Sequence, residues 1–378
     1  MTKKDYAKGK NTILILAPSL EIKAGVADFC RMLIDNLSPD FQVFHLRVGR
    51  KSINTNFIKR LASLLRSIFC FIWILNKNAF DVIQINPSFK PYSLMRDSIY
   101  LFIINMFRLT EKTVVFFHGW DHNLAEWLKG KALLREMFIT IYKKVGIISV
   151  LSNSARQQLV ALGIDPHIVR VSTTMYKGFR NSDQKDELLE KKNNKIIHIL
   201  FMSRFLKEKG VFIAAEVARI LTQNGFKEFK FIFAGEGPEE VTLRNYIIEN
   251  KLKDFVEISG FVSGKNKKDI LENSEIFLLP TYCQEGCPIV ILEAMGAGLA
   301  IVATPAGAIP DIVKHNKNGF IIKSKNPRDF YEAINKLIGN KELLRSFQEA
   351  NRIKAENNYE TKIVTRKIES FYRSIING

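Results

Sequence analysis

The sequence predicts an α/β protein of two doubly wound, Rossmann-like domains facing across a cleft. Three observations carry this expectation. Short β-rich apolar runs alternate with longer helical patterns, the mark of βαβ units and parallel sheets. The alternation is interrupted by the polar, aromatic-free stretch "RNSDQKDELLEKKNNK" (180–195) and then restarts. A chain of 378 residues is also longer than one domain usually needs, at about 150 residues each. The expected division is 1–178 for the first domain, 179–195 for a linker, 196–358 for the second domain and 359–378 for a closing helix.

In the first domain the strand candidates are Thr12–Ala17, Phe41–Arg47, Asp81–Asn86, Thr113–His118, Gly146–Ser152 and Ile168–Ser172. In the second they are Ile196–Ser203, Phe229–Gly235, Phe255–Gly260, Ile276–Thr281, Leu299–Thr304 and Gly319–Lys323. Helical patterns such as Gly210–Gly225 fall between them. Ligands of such sheets sit beyond the carboxyl ends of the strands, so the residues there are read most closely.

An apolar fraction of 47% and a charged fraction of 25% match a globular protein able to bury full cores. Four cysteines (Cys30, Cys70, Cys283, Cys287) show no paired framework, which points to a reducing, cytosolic setting. The basic start "MTKKDYAKGKNTILILA" has too short an apolar run for a secretory signal and reads as a strand.

The net charge of +18 favours an anionic partner. The excess is uneven: residues 41–80 hold no acid, while Arg47, Arg50, Lys51, Lys59, Arg60, Arg66 and Lys77 are basic. Within that window "FIKRLASLLRSIFCFIWIL" (Phe57–Leu75) is too short, once Arg66 interrupts it, to span a bilayer. It fits an interfacial helix on an anionic membrane surface, or else a core helix whose basic residues face water. No nucleic-acid motif accompanies the charge, so nucleic acid is not the expected partner.

The strand ends carry the chemistry. Arg204 and Lys209 follow one strand and precede a helix whose free N–H groups add to a diphosphate site; a solvated basic turn is the plainer alternative. Gly235, Gly237 and Pro238 in "AGEGPEE" form a tight turn open to a ligand. That turn lacks the third glycine of a dinucleotide fingerprint, and the loop after the first strand supplies only Gly25, which argues against a dehydrogenase. In "TYCQEGCPIVILEAMGAG", Glu293 is the single carboxylate between Glu285 and Asp311, a span with no Lys, Arg or His. A lone carboxylate in so apolar a helix needs hydrogen-bond donors, and a vicinal diol offers two. A solvated or helix-dipole glutamate is the alternative. His118 and His122, with Asp121 adjacent, do not make a metal pair, because His118 ends a strand rather than lying on a helix. Cys283 and Cys287 lack the second pair that zinc would need.

Together, "SRFLKEKG", "FAGEGPEE", "SGFVSG", "PTYCQEGCPIVILEAMGAGLAIVAT" and "HNKNGFII" resemble family four of the retaining glycosyltransferases. The resemblance covers the second half closely and the first half loosely, and Glu285 and Glu293 match that family's E-x7-E signature. It implies the GT-B fold, with an acceptor-binding first domain, a nucleotide-sugar-binding second domain and a last helix packing back on the first. It also implies roles. Arg204 and Lys209 would bind the donor diphosphate, and Glu285 the hydroxyls of the transferred sugar. Gly286 and Cys287 would present backbone N–H groups. Pro288, Ile289 and Val290 open the helix that faces phosphate, and Glu293 would hold the ribose. Gly260, Phe261 and Val262 would lie beside the base, Gly235 near the donor, Gly25 at the diphosphate and His118 at the reaction centre. Ala24–Gly25 stands where the family has two glycines, Ser203 where it has one, and "PAGAIPD" retains only Gly307.

The expectation is therefore a metal-independent, cofactor-free retaining enzyme. It would move a hexose-type sugar from a UDP- or GDP-sugar to a lipid-linked or oligosaccharide acceptor, in surface polysaccharide biosynthesis. Its place would be cytoplasmic, at the inner face of the plasma membrane. A nucleotide-sugar epimerase of the same fold, or a non-catalytic nucleotide-sugar or membrane-binding protein, are the alternatives.

Overall fold

The computed structural model describes residues 9–22, 25–49, 57–178 and 196–378. The stretch 179–195, together with Ala24, Arg50 and Lys51, lies outside the described residues. The chain forms two compact units, Met1–Met175 with Thr361–Gly378, and Tyr176–Glu360. Tyr176 goes with the second because its N–H donates to the carbonyl of Tyr359 at 3.1 Å.

The first unit runs β1 (Asn11–Ala17), α1 (Gly25–Asn36), β2 (Phe41–Arg47), α2 (Phe57–Lys77), β3 (Val82–Ile85), α3 (Pro91–Met106), β4 (Thr113–Phe116), α4 (His122–Lys129), α5 (Ala132–Tyr142), β5 (Ile147–Val150), α6 (Asn153–Ala161) and β6 (Val169–Val171). Its strands form one parallel sheet in the order β2-β1-β3-β4-β5-β6. Strands β3, β4 and β5 are buried at every position. Parallel strands with both faces covered read as unbroken apolar runs, which is why they were legible. Gln84 is the polar exception inside β3 and is fully buried.

The second unit runs β7 (Ile197–Met202), a 3-10 turn (Lys207–Lys209), α7 (Val211–Gln223), β8 (Phe229–Ala234), α8 (Glu240–Glu249), β9 (Val256–Gly260), α9 (Gly264–Glu272), β10 (Ile276–Leu279), α10 (Ile289–Gly296), β11 (Ala300–Ala303), α11 (Ile309–Ile312), β12 (Gly319–Ile321), α12 (Pro327–Gly339) and α13 (Lys341–Asn358). Its sheet is parallel too, in the order β12-β11-β10-β7-β8-β9. Asn326 and Asn340 cap α12 and α13, accepting from the N–H groups of Arg328 and Leu343.

From β7 the chain builds outward to β8 and β9, then returns to lay β10 on the other side. That reversal falls at the carboxyl ends of β7 and β10, the place where such sheets set their ligands. In the first sheet the reversal falls between β1 and β3.

The final helix, α14 (Thr361–Asn377), belongs to the first unit. Glu369 accepts from the N–H of Ser38 at 2.6 Å, and Tyr372, fully buried, packs edge-on against Phe41.

Candidate active site

The loops after β7 and β10 meet at the reversal point of the second sheet. The 3-10 turn ends at Gly210, whose φ of 79° is left-handed. A Cβ there would lie 2.2 Å from the carbonyl oxygen of Pro280, so glycine is required both by the turn and by the close approach. The two loops are joined directly: Tyr282 N–H donates to the Glu208 carbonyl at 2.9 Å, and Thr281 Oγ1 lies 3.3 Å from the same oxygen. Gly307, at φ 55°, lets the next loop close on the other side, where a Cβ would meet the Glu285 carbonyl at 2.1 Å. Ala308 N–H then donates to the Gly286 carbonyl at 2.8 Å.

This stitching brings Lys209 against Glu285, Nζ to Oε1, at 2.5 Å. Thr281 Oγ1 donates to the same carboxylate oxygen at 3.1 Å. Burial opposes the charge on Lys209, but the facing Glu285 carboxylate outweighs it and holds the ammonium pKa above its usual value. The Cys283 thiol is pushed up by burial and by the same carboxylate. Arg204 stands differently. It is exposed on the loop after β7, with no carboxylate partner among the described residues.

Helix α10 starts at Ile289, so Pro288 is its cap, with extended backbone, and not its first-turn residue as the sequence pattern suggests. Cys287, Ile291, Leu292, Ala294 and Met295 are buried around Glu293, whose side chain keeps 13% exposure. Lys267, on α9, reaches it: Nζ lies 2.6 Å from Oε1 and 2.5 Å from Oε2. Gly235, just past β8, and Gly260, the last residue of β9, are joined by a 2.7 Å bond from Gly235 N–H to the Gly260 carbonyl. Phe261 and Val262 follow at the rim, with Phe261 exposed. The structure thus brings Lys209 onto Glu285 and sets Ile289, Val290 and Glu293 on one short helix capped by Pro288, while among the described residues Arg204 forms no ion pair with them.

Gly25 and His118 belong to the first unit. Gly25 opens α1, with open space where a side chain would begin. His118 is not in a strand: β4 stops at Phe116, and the His118 N–H turns to the Pro87 carbonyl at 2.9 Å. Its ring stacks on Phe116 at 4.7 Å and meets Phe29 edge-on at 4.6 Å. Burial pushes its pKa down to about 3. The neighbouring polar residues are occupied structurally, since Asp121 caps α4 by accepting from Leu124 N–H and His122 bonds Gln158 at 2.8 Å. Among the described residues no group of three or more His, Cys, Asp or Glu could hold a metal ion.

Comparison with known proteins places the second unit. Residues 180–354 match the family described as Glycosyl transferases group 1. WcaL of Escherichia coli (strain K12), named for colanic acid biosynthesis, is 28% identical over 186 residues, covering 47% of this chain and 45% of WcaL. The Amylovoran biosynthesis glycosyltransferase AmsK of Erwinia amylovora is 28% identical over 223 residues, covering 56% of this chain and 52% of AmsK. The chain thus spans about half the length of these curated relatives. HepE of Anabaena, crystallised in complex with UDP, superimposes with a TM-score of 0.71 at 14% identity, covering 96% of this chain and 100% of HepE. The fold is GT-B, two Rossmann-like domains, as the sequence pattern leads one to expect.

Sequence reasoning missed Lys267. It lies 26 residues before Glu293, in the charged stretch "GKNKKD", where nothing singles it out from Lys265 or Lys268. It also missed Gln84 and Asn86, although a glutamine inside an apolar strand was a visible signal.

Proposed function

We propose that this chain is a retaining glycosyltransferase that moves a hexose-type sugar from a UDP- or GDP-sugar to a lipid-linked or oligosaccharide acceptor. One observation carries the reading: the loops at the reversal point set Lys209 on Glu285, beside a short helix whose Glu293 is held by Lys267. The group 1 match over 180–354 and the polysaccharide-synthesis names of WcaL and AmsK support it. Those names also support a role in surface polysaccharide biosynthesis.

In this reading Glu293 accepts hydrogen bonds from the two ribose hydroxyls, and the amide groups of Gly286, Cys287, Ile289 and Val290 face the diphosphate. Gly235, Gly260, Phe261 and Val262 border the base, and Gly25 leaves room for the phosphates. As the anomeric bond breaks, the sugar becomes oxocarbenium-like and negative charge collects on the departing β-phosphate. Arg204, which has no carboxylate partner among the described residues, and Lys209 meet that charge. Lys209 is held ready by Glu285, whose carboxylate is then shared with the sugar hydroxyls. His118, neutral, accepts a hydrogen bond from the sugar. The leaving phosphate oxygen takes the acceptor's proton on the same face, so configuration is retained. These cations fill the place a divalent metal occupies in other folds, so we propose that the enzyme needs neither metal nor cofactor.

The acceptor side is assigned to the first unit. Leu61, Leu65, Phe69 and Trp73, four residues apart along α2, are exposed on one stripe, with Phe69 72% exposed. Phe71, Ile74 and Leu75 face the core. A helix with this division, next to Arg66 and Lys77, suits an anionic membrane surface. No helix among the described residues is long and apolar enough to cross a membrane. The proposed location is the cytoplasmic face of the plasma membrane.

The test is a thermal-shift screen of nucleotide sugars, since a bound donor raises the melting temperature by linkage. Product analysis follows, with and without lipid-linked acceptors. Acceptor-dependent release of nucleotide with an α-configured product from an α-configured donor supports the reading. Release without any acceptor means an epimerase, and a thermal shift without turnover means a binding protein.

A further inference from the structure

We propose that Asn86, Gln84 and Tyr372 are positioning residues that hold His118 in a single tautomer, with Nε2 protonated and Nδ1 as the acceptor. The consequence for turnover rests on the role proposed for His118 above; the tautomer itself does not.

The assignment follows from which atoms can only accept. Asn86 is buried just beyond β3, and one end of its amide lies 3.0 Å from the carbonyl oxygen of Leu16 on β1. A carbonyl only accepts, so that end is Nδ2, and Oδ1 points the other way. Oδ1 takes two contacts: Gln84 at 2.9 Å and His118 Nε2 at 3.0 Å. Both must therefore donate. Gln84 presents Nε2 to Asn86, so its Oε1 is left for the hydroxyl of Tyr372, which donates to it. Gln84 and Tyr372 are fully buried, so neither can turn to water instead.

The result is one fixed direction of donation. Tyr372 orients Gln84, Gln84 and the Leu16 carbonyl orient Asn86, and Asn86 fixes the proton on His118 Nε2. The Phe116 and Phe29 rings hold the imidazole plane. No charged group contributes to the lowered basicity of His118, which comes from burial alone. With its proton held on Nε2, His118 presents Nδ1 as an acceptor suited to a hydroxyl donor. Tyr372 lies on α14, so the last helix of the chain supports a residue at the end of β4.

Nitrogen NMR of the full chain, with histidine ring nitrogens labelled, tests this. The wild type is expected to show His118 with Nε2 protonated, Nδ1 bare and no titration between about pH 5 and 8, since its pKa is far below the ordinary value of about 6.5. Asn86→Asp keeps the size but places a carboxylate against Nε2, so the ring should take a second proton within that range. Asn86→Leu removes the acceptor and should give mixed tautomers. With a donor in hand it should also lower kcat by about 10-fold, the low end for outer-shell partners. Tyr372→Phe should broaden the Nε2–H signal as Gln84 gains freedom.

A wild-type ring protonated on Nδ1, or titrating near pH 6.5, overturns the proposal, as do Asn86 variants with wild-type ring signals. If the Asn86 variants do not fold, the wild-type spectrum and Tyr372→Phe decide. An unchanged Tyr372→Phe line shape removes the link to α14. A locked tautomer in a protein whose His118→Ala variant turns over normally sinks the catalytic reading instead, and leaves this one standing.

Discussion

Lys267 Nζ sits between the two carboxylate oxygens of Glu293, at 2.6 Å and 2.5 Å, with both side chains largely buried. The pair neutralises the one carboxylate of an otherwise apolar helix. Removing one partner of such a pair costs more than removing both, because the survivor keeps its desolvation cost. Lys267→Met should therefore lower stability by about 1–2 kcal/mol, less than a fully buried pair because solvent still reaches it. Lys267→Met combined with Glu293→Gln should recover most of that loss. Thermal unfolding of the two single variants and the double variant measures the coupling. Strictly additive effects would remove the pair's structural role.

Among the described residues Arg204 forms no ion pair, whereas Lys209 is paired with Glu285. In the proposed reading the Arg204 charge meets the donor's phosphate. Arg204→Ala should reduce turnover by about 100-fold to 1000-fold, the scale of one preorganised donor at a developing charge, while hardly moving the melting temperature. Arg204→Lys should recover only part of it, since a point charge cannot hold two phosphate oxygens at once. Steady-state kinetics with the donor found by screening checks this.

The alternation of strands and helices was readable because parallel strands bury both faces, so β3, β4 and β5 stand out as apolar runs. The predicted strands overran at their carboxyl ends. Asn86, His118, Ser203 and Thr281 were all read into strands, yet each lies just past the last ladder position. Those are the places where the chain leaves the ladder to build a site, and propensity does not mark that change. The glutamates were visible as isolated charges. Lys209 was visible at a strand end, but Lys267 and both pairings were not, because they join residues 76 and 26 positions apart through the topology of the sheet. The Gln84–Asn86–His118 cluster was hidden for the same reason, since its meaning appears only once β1, β3, β4 and α14 are packed together.

His118 also predicts a pH dependence. Its folded pKa, about 3, lies below the ordinary value of 6.5, so the unfolded chain binds this proton more readily. Stability from this group is full above pH 6.5 and is lost as pH falls toward 3, by up to about 1.4 kcal/mol per pH unit. His45, also lowered by burial, adds in the same direction. Urea unfolding at pH 7 and pH 5 should show a smaller pH difference in His118→Asn than in wild type. Equal differences would mean that the imidazole titrates normally in the fold.

The exposed stripe on α2 predicts binding to anionic vesicles that weakens with salt. Replacing both Phe69 and Trp73 with glutamate should abolish co-sedimentation with phosphatidylglycerol vesicles and leave nucleotide binding intact, because the two side chains face solvent. Equal sedimentation of the wild type and the variant would exclude α2 as the docking element.

Calorimetric titration of the intact chain with UDP and GDP tests the central claim most directly. At least one nucleotide should bind to the wild type. Glu293→Ala should weaken that binding by about 10-fold or more, equivalent to about 1.4 kcal/mol lost from the ribose, and Arg204→Ala should weaken it further as the diphosphate loses its guanidinium. A wild-type protein that binds neither nucleotide, or one whose affinity is the same in both variants, contradicts the account.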